Sequence, residues 1–492
     1  MAYAERVMML AAIYATDHQR AEPNEVDFRL LCWELHNSYD GNLFDEAAAA
    51  ELAQRLTKTD TDSPLRKLTT EHARVLLAEA FKARIAALQH IGRYFDRGDF
   101  ARGYLIVRCL SARALTLGGA EYVRAEKQFL LSSVEGFFRA SWALFTKAQL
   151  GLEIRDEHGQ PVMTDYGHVY SRDWPSDPNL DALQISVDDL RAVASVLSEP
   201  LSSFPALRPN FKNASGATLK YDSALDRLSL RPMIEIEGKE RCEHVAIPSP
   251  WRYVHAVPEV VLYDFVRQLQ DRRTVLLAGK DAYSLRGEAF ADYVKSVTKE
   301  LPRLFDLDAG TELAGQERPD LVWVGTAHTV LVELKFSVKP NDDRILKDTS
   351  AAVVAWQRSA EAIQQGAGFV RRHGSYLRDH LAAQGPVILV LVSTDKVIDE
   401  SIGFRAVAKA GRLLEGTELQ AIATLTISEF ERWVLLSDAD ALARETLTAW
   451  ARLDPFAVSQ DSGIVAPKAQ RDLPHIEAAW KELFPFYAPK EK

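Results

Sequence analysis

Apolar residues recur at helical spacing along the first 150 residues of the chain. In Thr70–Arg97 they return every three or four positions, and Glu121–Leu150 carries an aromatic stripe at similar spacing. This periodicity predicts amphipathic helices, and the aromatic stripe is typical of a helix–helix core. We therefore predict a helical domain over residues 1–150 that serves recognition, sensing or partner binding.

The pattern changes after residue 150, where six prolines between positions 161 and 209 interrupt any long helix. A β-like run at Ser229–Ile236 precedes a helical pattern over Val257–Arg272. Residues 151–279 are therefore predicted to form a mixed α+β segment.

A more regular order of elements begins at residue 280. The pattern predicts a helix, three strands, a helix and an apolar strand, then a further helix, a strand and a helix opened by a Ser428–Glu431 capping box. This order predicts an α/β domain with one mixed sheet flanked by helices over residues 280–435. Residues 436–492 are predicted to be a C-terminal helical extension. The main predicted bounds are Ser284–Leu301, Leu304–Asp308, Leu321–Val324, Thr329–Phe336, Ala351–Arg372, Val387–Val392 and Ala421–Ile427.

Two of the predicted strands form a β-hairpin, because only the four residues 325–328, including a glycine, separate them. The simplest loop pairs Val324 with Thr329 and continues until Asp320 stands opposite Glu333. Directly opposite residues on one face have Cβ atoms roughly 4.5–5.5 Å apart. Lys335 lies two positions after Glu333 and therefore faces the same side of the sheet.

Asp320 and Glu333 would repel each other across the hairpin, and like charges directly opposite destabilise a sheet. A divalent cation bound between them would turn this repulsion into a net attraction. Mg²⁺ is suited to the place because it prefers carboxylate and water oxygens. A bound metal can activate water and orient a phosphate, while Lys335 can position the water and offset phosphate charge. The alternative is an exposed hairpin that carries a few charged side chains.

Composition narrows the class of protein. The three cysteines are far apart, which argues against a disulfide framework and a structural zinc site and favours a cytoplasmic location. No apolar run reaches the ~18 residues that span a bilayer, so no membrane partner is expected. A net charge of −10 lacks the basic excess of a whole-surface nucleic-acid binder, but it permits a local basic groove around an acidic metal site.

The hairpin resembles the motif of the PD-(D/E)xK, or restriction-endonuclease-like, nuclease superfamily. The motif matches as Pro319-Asp320, a spacer through the hairpin, and Glu333-Leu334-Lys335. The resemblance covers about residues 280–435, since the family also commonly has a helix and an apolar strand after the motif strand.

The resemblance implies a role for each motif residue. Asp320 and Glu333 would bind Mg²⁺ or Mn²⁺, and Leu334 would add its backbone carbonyl. Lys335 would be the catalytic lysine. Glu288, on the helix before the first core strand, would be an auxiliary ligand or would position a ligand.

Two further sets of residues are weaker candidates. Some members of the family carry a glutamine on the helix after the motif, and Gln357 is the first choice here, with a surface glutamine as the alternative. Arg371, Arg372 and Arg378 form a basic cluster that could contact nucleic-acid phosphates. The favoured interpretation of this cluster is a solvated helix end with favourable charge–dipole placement.

Two classes of function follow. The first is an endonuclease that hydrolyses DNA in bacterial restriction or antiphage defence, with a protein partner or a second copy of the chain. The second is a binding or scaffold protein whose nuclease fold is catalytically silent. RNA cleavage ranks below DNA cleavage, because no RNA-recognition signature is present.

Overall fold

The computed structural model describes residues 97–150, 153–155, 161–164, 168–170, 177–200, 231–236, 244–247, 250–272, 281–307, 317–336, 349–394, 412–453, 464–469 and 472–485, with isolated positions at 174–175, 313, 405 and 408–409. The helices predicted within residues 1–96 lie outside this part of the chain. The chain divides into two compact units. The described residues of one run from Arg97 to Ala289 and from Pro474 onward, and those of the other run from Phe290 to Leu473.

The first unit begins with helices α1 (Arg97–Leu130) and α2 (Val134–Leu150). The helix predicted over Glu121–Leu150 is therefore two helices. The break falls at Leu131, whose φ of 56° lies in the left-handed region and ends α1. The prediction of a helix–helix core is confirmed, since Phe100 of α1 packs on Phe138 and Trp142 of α2 with ring centroids 5.3 Å apart.

The rest of this unit is mixed α+β, as predicted. Its elements are β1 (Glu153–Arg155), β2 (Pro161–Thr164), β3 (His168–Tyr170), α3 (Pro178–Ala182), α4 (Val187–Leu197), β4 (Ser198–Pro200), β5 (Met233–Ile236), β6 (His244–Ala246), α5 (Pro250–Glu259), α6 (Val266–Arg272) and, after the second unit, α11 (Pro474–Leu483). A four-stranded sheet has the order β3-β6-β5-β4, and β1 pairs with β2. The predicted helix over Val257–Arg272 begins earlier, at Pro250, and contains a π-helical segment, Val260–Phe265.

The second unit is built on a five-stranded mixed sheet, which confirms the predicted mixed sheet. Its elements are α7 (Ala282–Thr298), which begins in the first unit, β7 (Leu304–Asp306), β8 (Leu321–Val324), β9 (Thr329–Lys335), α8 (Thr349–Leu381), β10 (Val387–Ser393), β11 (Leu419–Thr426), α9 (Ile427–Leu436) and α10 (Ala439–Arg452). The strand order is β11-β10-β9-β8-β7. The antiparallel pairs are β7–β8 and β8–β9, and the parallel pairs are β9–β10 and β10–β11.

Helices cover both faces of this sheet. On one face, Leu331 and its neighbours on β10 and β11 share a core with Ile363 and other residues of α8. On the opposite face, Phe336 meets Phe290 of α7, with ring centroids 6.1 Å apart. The strands are consequently buried on both sides, which explains why β10 reads as an unbroken apolar run rather than an alternating one.

Several predicted boundaries need correction. The capping box of α9 is formed by Thr426 and Glu429, and not by Ser428 and Glu431, because β11 ends two residues before Ser428. Glu431 is buried and accepts a hydrogen bond from Tyr293 of α7. Helix α10 follows the predicted end of the nuclease-like region at residue 435, yet it packs against β9 and β11.

Within the described ranges, no helix is both long enough and apolar enough to cross a membrane.

Candidate active site

The hairpin of β8 and β9 has the predicted register. Val324 pairs with Thr329, and Leu321 pairs with Val332. The loop is closed by a hydrogen bond of 2.8 Å from the backbone N–H of Gly325 to the carbonyl of His328. Asp320 immediately precedes β8, so the same register continued by one residue sets it opposite Glu333.

The loop end of the hairpin is held from two sides. On one side the carboxylate of Asp440, in the first turn of α10, accepts hydrogen bonds from the backbone N–H groups of Thr326 (2.6 Å) and Ala327 (3.0 Å). It also accepts one from the Thr326 hydroxyl and lies 2.9 Å from Nδ1 of His328. On the other side Gly385, with φ of 65°, approaches so closely that a Cβ there would overlap the carbonyl oxygen of Ala327.

The other end of the hairpin brings together the predicted catalytic residues Asp320, Glu333 and Lys335. Oδ2 of Asp320 accepts a hydrogen bond of 2.7 Å from the backbone N–H of Leu334. Nζ of Lys335 donates one of 2.7 Å to Oε1 of Glu333, whose residue is only 8% exposed. These bonds fix both carboxylates to the end of the central strand.

Burial and mutual repulsion disfavour the ionised forms of the two carboxylates. Burial, together with the charge of Glu333, raises the pKa of Asp320 to about 7. The Leu334 N–H and the ammonium groups of Lys335 and Lys295 lower this pKa, but by less. Burial also raises the pKa of Glu333, while Lys335 opposes the rise. A positive charge beside the pair is therefore stabilising, because it favours both ionised forms.

A divalent cation suits this donor set. Among the described residues, no group of three or more His, Cys, Asp or Glu side chains is arranged to hold a metal ion. A cation here would draw on the Asp320 and Glu333 carboxylates and on backbone and water oxygens, the donors that Mg²⁺ accepts. The structure shows the N–H of Leu334 bound to Asp320, and the metal-binding role of its carbonyl stays a prediction.

The structure does not show every predicted site residue beside this pair. Glu288 lies on α7 within the first unit, where Oε2 accepts a hydrogen bond of 2.5 Å from Nη1 of Arg113. Gln357 lies on α8, and its side chain is outside the described part of the structure. Their predicted roles at the site stay predictions.

The basic cluster begins at the far edge of the sheet. Nε of Arg371 lies 3.5 Å from Oε1 of Glu418, which immediately precedes β11. Across the sheet, the first residue of β11 is level with Thr329, the first residue of β9. Lys335 is six residues farther along β9, which corresponds to about 20 Å at the usual rise of a strand. Arg372 contacts Glu317 at 3.6 Å, and Arg378 follows the kink of α8 at His373. Arg371 is thus separated from the carboxylate pair, and a nucleic-acid role for the cluster stays a prediction.

Sequence reasoning missed two charged residues near the pair. Nζ of Lys295 on α7 lies 3.0 Å from Oδ1 of Asp306, the last residue of β7. Asp306 pairs with Leu321, the residue after Asp320. Glu288 was selected by the family resemblance, and no motif marks Lys295, which follows it by two helical turns on α7.

Comparisons of the chain with protein-family models, with curated proteins and with solved structures give no match.

Proposed function

We propose that the chain is a metal-dependent nuclease of the PD-(D/E)xK type that hydrolyses phosphodiester bonds in DNA. The observation that carries the proposal is the partly buried pair Asp320 and Glu333 at the end of the central hairpin, with Lys335 bound to Glu333. A pair of like charges in such a place costs stability unless a cation joins it. A fold would not gain by keeping such a pair for structure alone.

The order of elements supports the same family. Helix α7, three antiparallel strands, helix α8 and the parallel strand β10 follow the order that the sequence resemblance implies. Glu333 and Lys335 stand at the end of β9, which has a strand on each side, and Asp320 stands just before β8. We therefore propose that the sheet is restriction-endonuclease-like.

Each residue of the trio has a part in the proposed reaction. Mg²⁺ or Mn²⁺, bound by Asp320 and Glu333, would polarise the scissile phosphate and lower the pKa of the attacking water. Lys335 holds Glu333 by a hydrogen bond, and its positive charge would lie beside the reacting phosphate. It can accept a hydrogen bond or proton from the water only in its neutral form, so its more general contribution is charge stabilisation.

Cleavage of supercoiled plasmid and of linear duplex DNA tests the proposal, with Mg²⁺, Mn²⁺ or EDTA present. We expect metal-dependent cutting by the wild-type chain and its loss in Asp320→Asn and Lys335→Ala. Asp379→Asn is the matched control, because Asp379 is exposed on α8 and undergoes the same chemical change away from the pair.

Each outcome separates the possible functions. Cutting that survives both site substitutions would show that the carboxylate pair is not the active site. Wild-type protein that binds DNA without cutting it would favour a silent nuclease fold, and cutting of single-stranded RNA alone would change the substrate.

A further inference from the structure

A second lysine stands beside the carboxylate pair. Lys295 reaches from α7 and forms an ion pair of 3.0 Å with Asp306 at the end of β7. Asp306 is directly opposite Leu321 in the sheet, so the ion pair lies next to the position where Asp320 enters the hairpin. Lys295 and Lys335 therefore come from different elements and converge on the same end of the sheet.

The Lys295–Asp306 ion pair is only partly buried. The side chain of Lys295 is 19% exposed and that of Asp306 is 31% exposed. The ammonium is therefore held in place while part of the pair still faces solvent, where a ligand can approach.

We propose that Lys295 contacts a phosphate of the substrate strand next to the scissile phosphate, and that Asp306 positions its ammonium for this contact. The inference rests on the proposed nuclease function and deepens it by naming a second phosphate-binding residue. An ammonium has three N–H donors, so a contact with a phosphate oxygen does not require the bond to Asp306 to break.

The formal charges around the site favour this assignment. Asp306, Asp320 and Glu333 carry three negative charges when ionised, and Lys295 and Lys335 carry two positive ones. The net charge of the five side chains is therefore −1, and a bound divalent cation changes it to +1. A phosphodiester group, with one negative charge, neutralises this net charge. Without Lys295 the metal-loaded cluster would be neutral before substrate arrives, and it would attract a phosphate less strongly.

The competing interpretation is that the ion pair only fastens α7 to β7. A purely structural pair affects the stability of the fold, but it makes no contact whose counterions are released on DNA binding. The salt dependence of binding distinguishes the two, since each phosphate neutralised by a lysine adds about 0.9 to the slope of log K against log salt concentration.

The test measures binding of the full chain to a fluorescent DNA duplex over a series of KCl concentrations. Ca²⁺ replaces Mg²⁺, because it accepts the same oxygen donors with a different geometry and so separates binding from turnover. The variants are Lys295→Ala, Lys295→Arg and the matched control Lys468→Ala, which removes an exposed lysine elsewhere in the second unit. The thermal midpoint of each variant is recorded in parallel.

We expect Lys295→Ala to weaken binding about tenfold or more, as for loss of a charged hydrogen bond, and to reduce the salt slope by about one. Lys295→Arg should keep the slope, and Lys468→Ala should match the wild type. If Lys295→Ala keeps the salt slope of the wild type, whatever its thermal stability, the inference about Lys295 is wrong. The nuclease proposal would then still be decided by the cleavage assay. Wild-type protein that binds no DNA would overturn both.

Discussion

We predict that the substitution Asp320→Asn abolishes activity and yet stabilises the metal-free protein, because it removes one charge of the carboxylate pair. The amide side chain is nearly isosteric with the carboxylate, and its oxygen can still accept the hydrogen bond from the Leu334 N–H. The substitution removes only the charge that faces Glu333. The gain in the free energy of unfolding follows from the pKa of the carboxyl in the folded and unfolded chain.

Burial and Glu333 raise the pKa of Asp320 from the ordinary value of 3.8 to about 7. Three pKa units correspond to about 4 kcal/mol. Asp320 is only partly buried, so solvent screening reduces the expected gain to about 2 kcal/mol. In a unit of this size, that gain raises the thermal midpoint by about 4–8 °C.

The sign of the pH dependence is fixed by proton binding. Between pH 4 and 7 the folded protein holds a proton on Asp320 that the unfolded chain releases, so the wild type loses stability as pH rises through this window. The advantage of Asp320→Asn should thus be largest at pH 8 and absent near pH 4. Added Mg²⁺ should reverse the order, because it stabilises the wild type by binding its carboxylates.

Thermal unfolding followed by circular dichroism in EDTA, at several pH values, measures this effect. Asp379→Asn is the control for a change of one charge on the surface. An Asp320→Asn protein that is less stable than the wild type at pH 8 in EDTA would refute the argument that the pair is strained without a cation.

Three further substitutions test how the sheet is held together. Asp440→Asn should lower the free energy of unfolding by about 1–3 kcal/mol at pH 7. Hydrogen bonds hold the pKa of Asp440 well below its usual range, despite burial, so the difference should shrink as pH falls below the ordinary pKa of an aspartate, and an unchanged difference at pH 3 would contradict this. Gly385→Ala should lower the free energy of unfolding in urea strongly, because its Cβ would overlap the carbonyl oxygen of Ala327. Gly416→Ala, with φ of 74° and open space around it, should cost only about 1 kcal/mol, and an equal loss of stability in the two variants would contradict the close approach of Gly385 to Ala327. Tyr293→Phe should cost about 1–3 kcal/mol, because Glu431 stays buried without this hydrogen bond, and an unchanged urea midpoint would show that the bond is unimportant.

The sheet and its hairpin could be predicted because they rest on local signals. Two β-rich runs joined by a four-residue loop with one glycine were sufficient to predict the register that pairs Val324 with Thr329. The apolar run from Val387 to Val392 predicted a strand, and β10 is that strand. Boundaries were less accurate: the sequence offers Ser428 as a helix cap, but Thr426 takes that role because β11 ends there.

The charges around the site depended on long-range contacts that no local pattern contains. Lys295 is one of several charged residues on α7, and only the folded chain shows that it meets Asp306. The contact of Asp440 with the hairpin loop joins positions more than a hundred residues apart. The separation of Arg371 from the site likewise depends on the direction in which α8 returns across the sheet.

The position of the two acids on one hairpin has a consequence for folding kinetics. A hairpin closes over a short loop, whereas β10 can join β9 only after the long crossover through α8 has formed. Asp320 and Glu333 therefore meet early, and their repulsion falls on the folding transition state as well as on the native state. Refolding should accordingly accelerate when these carboxylates are protonated or when Mg²⁺ is present, so the ion proposed for catalysis would also act as a folding aid.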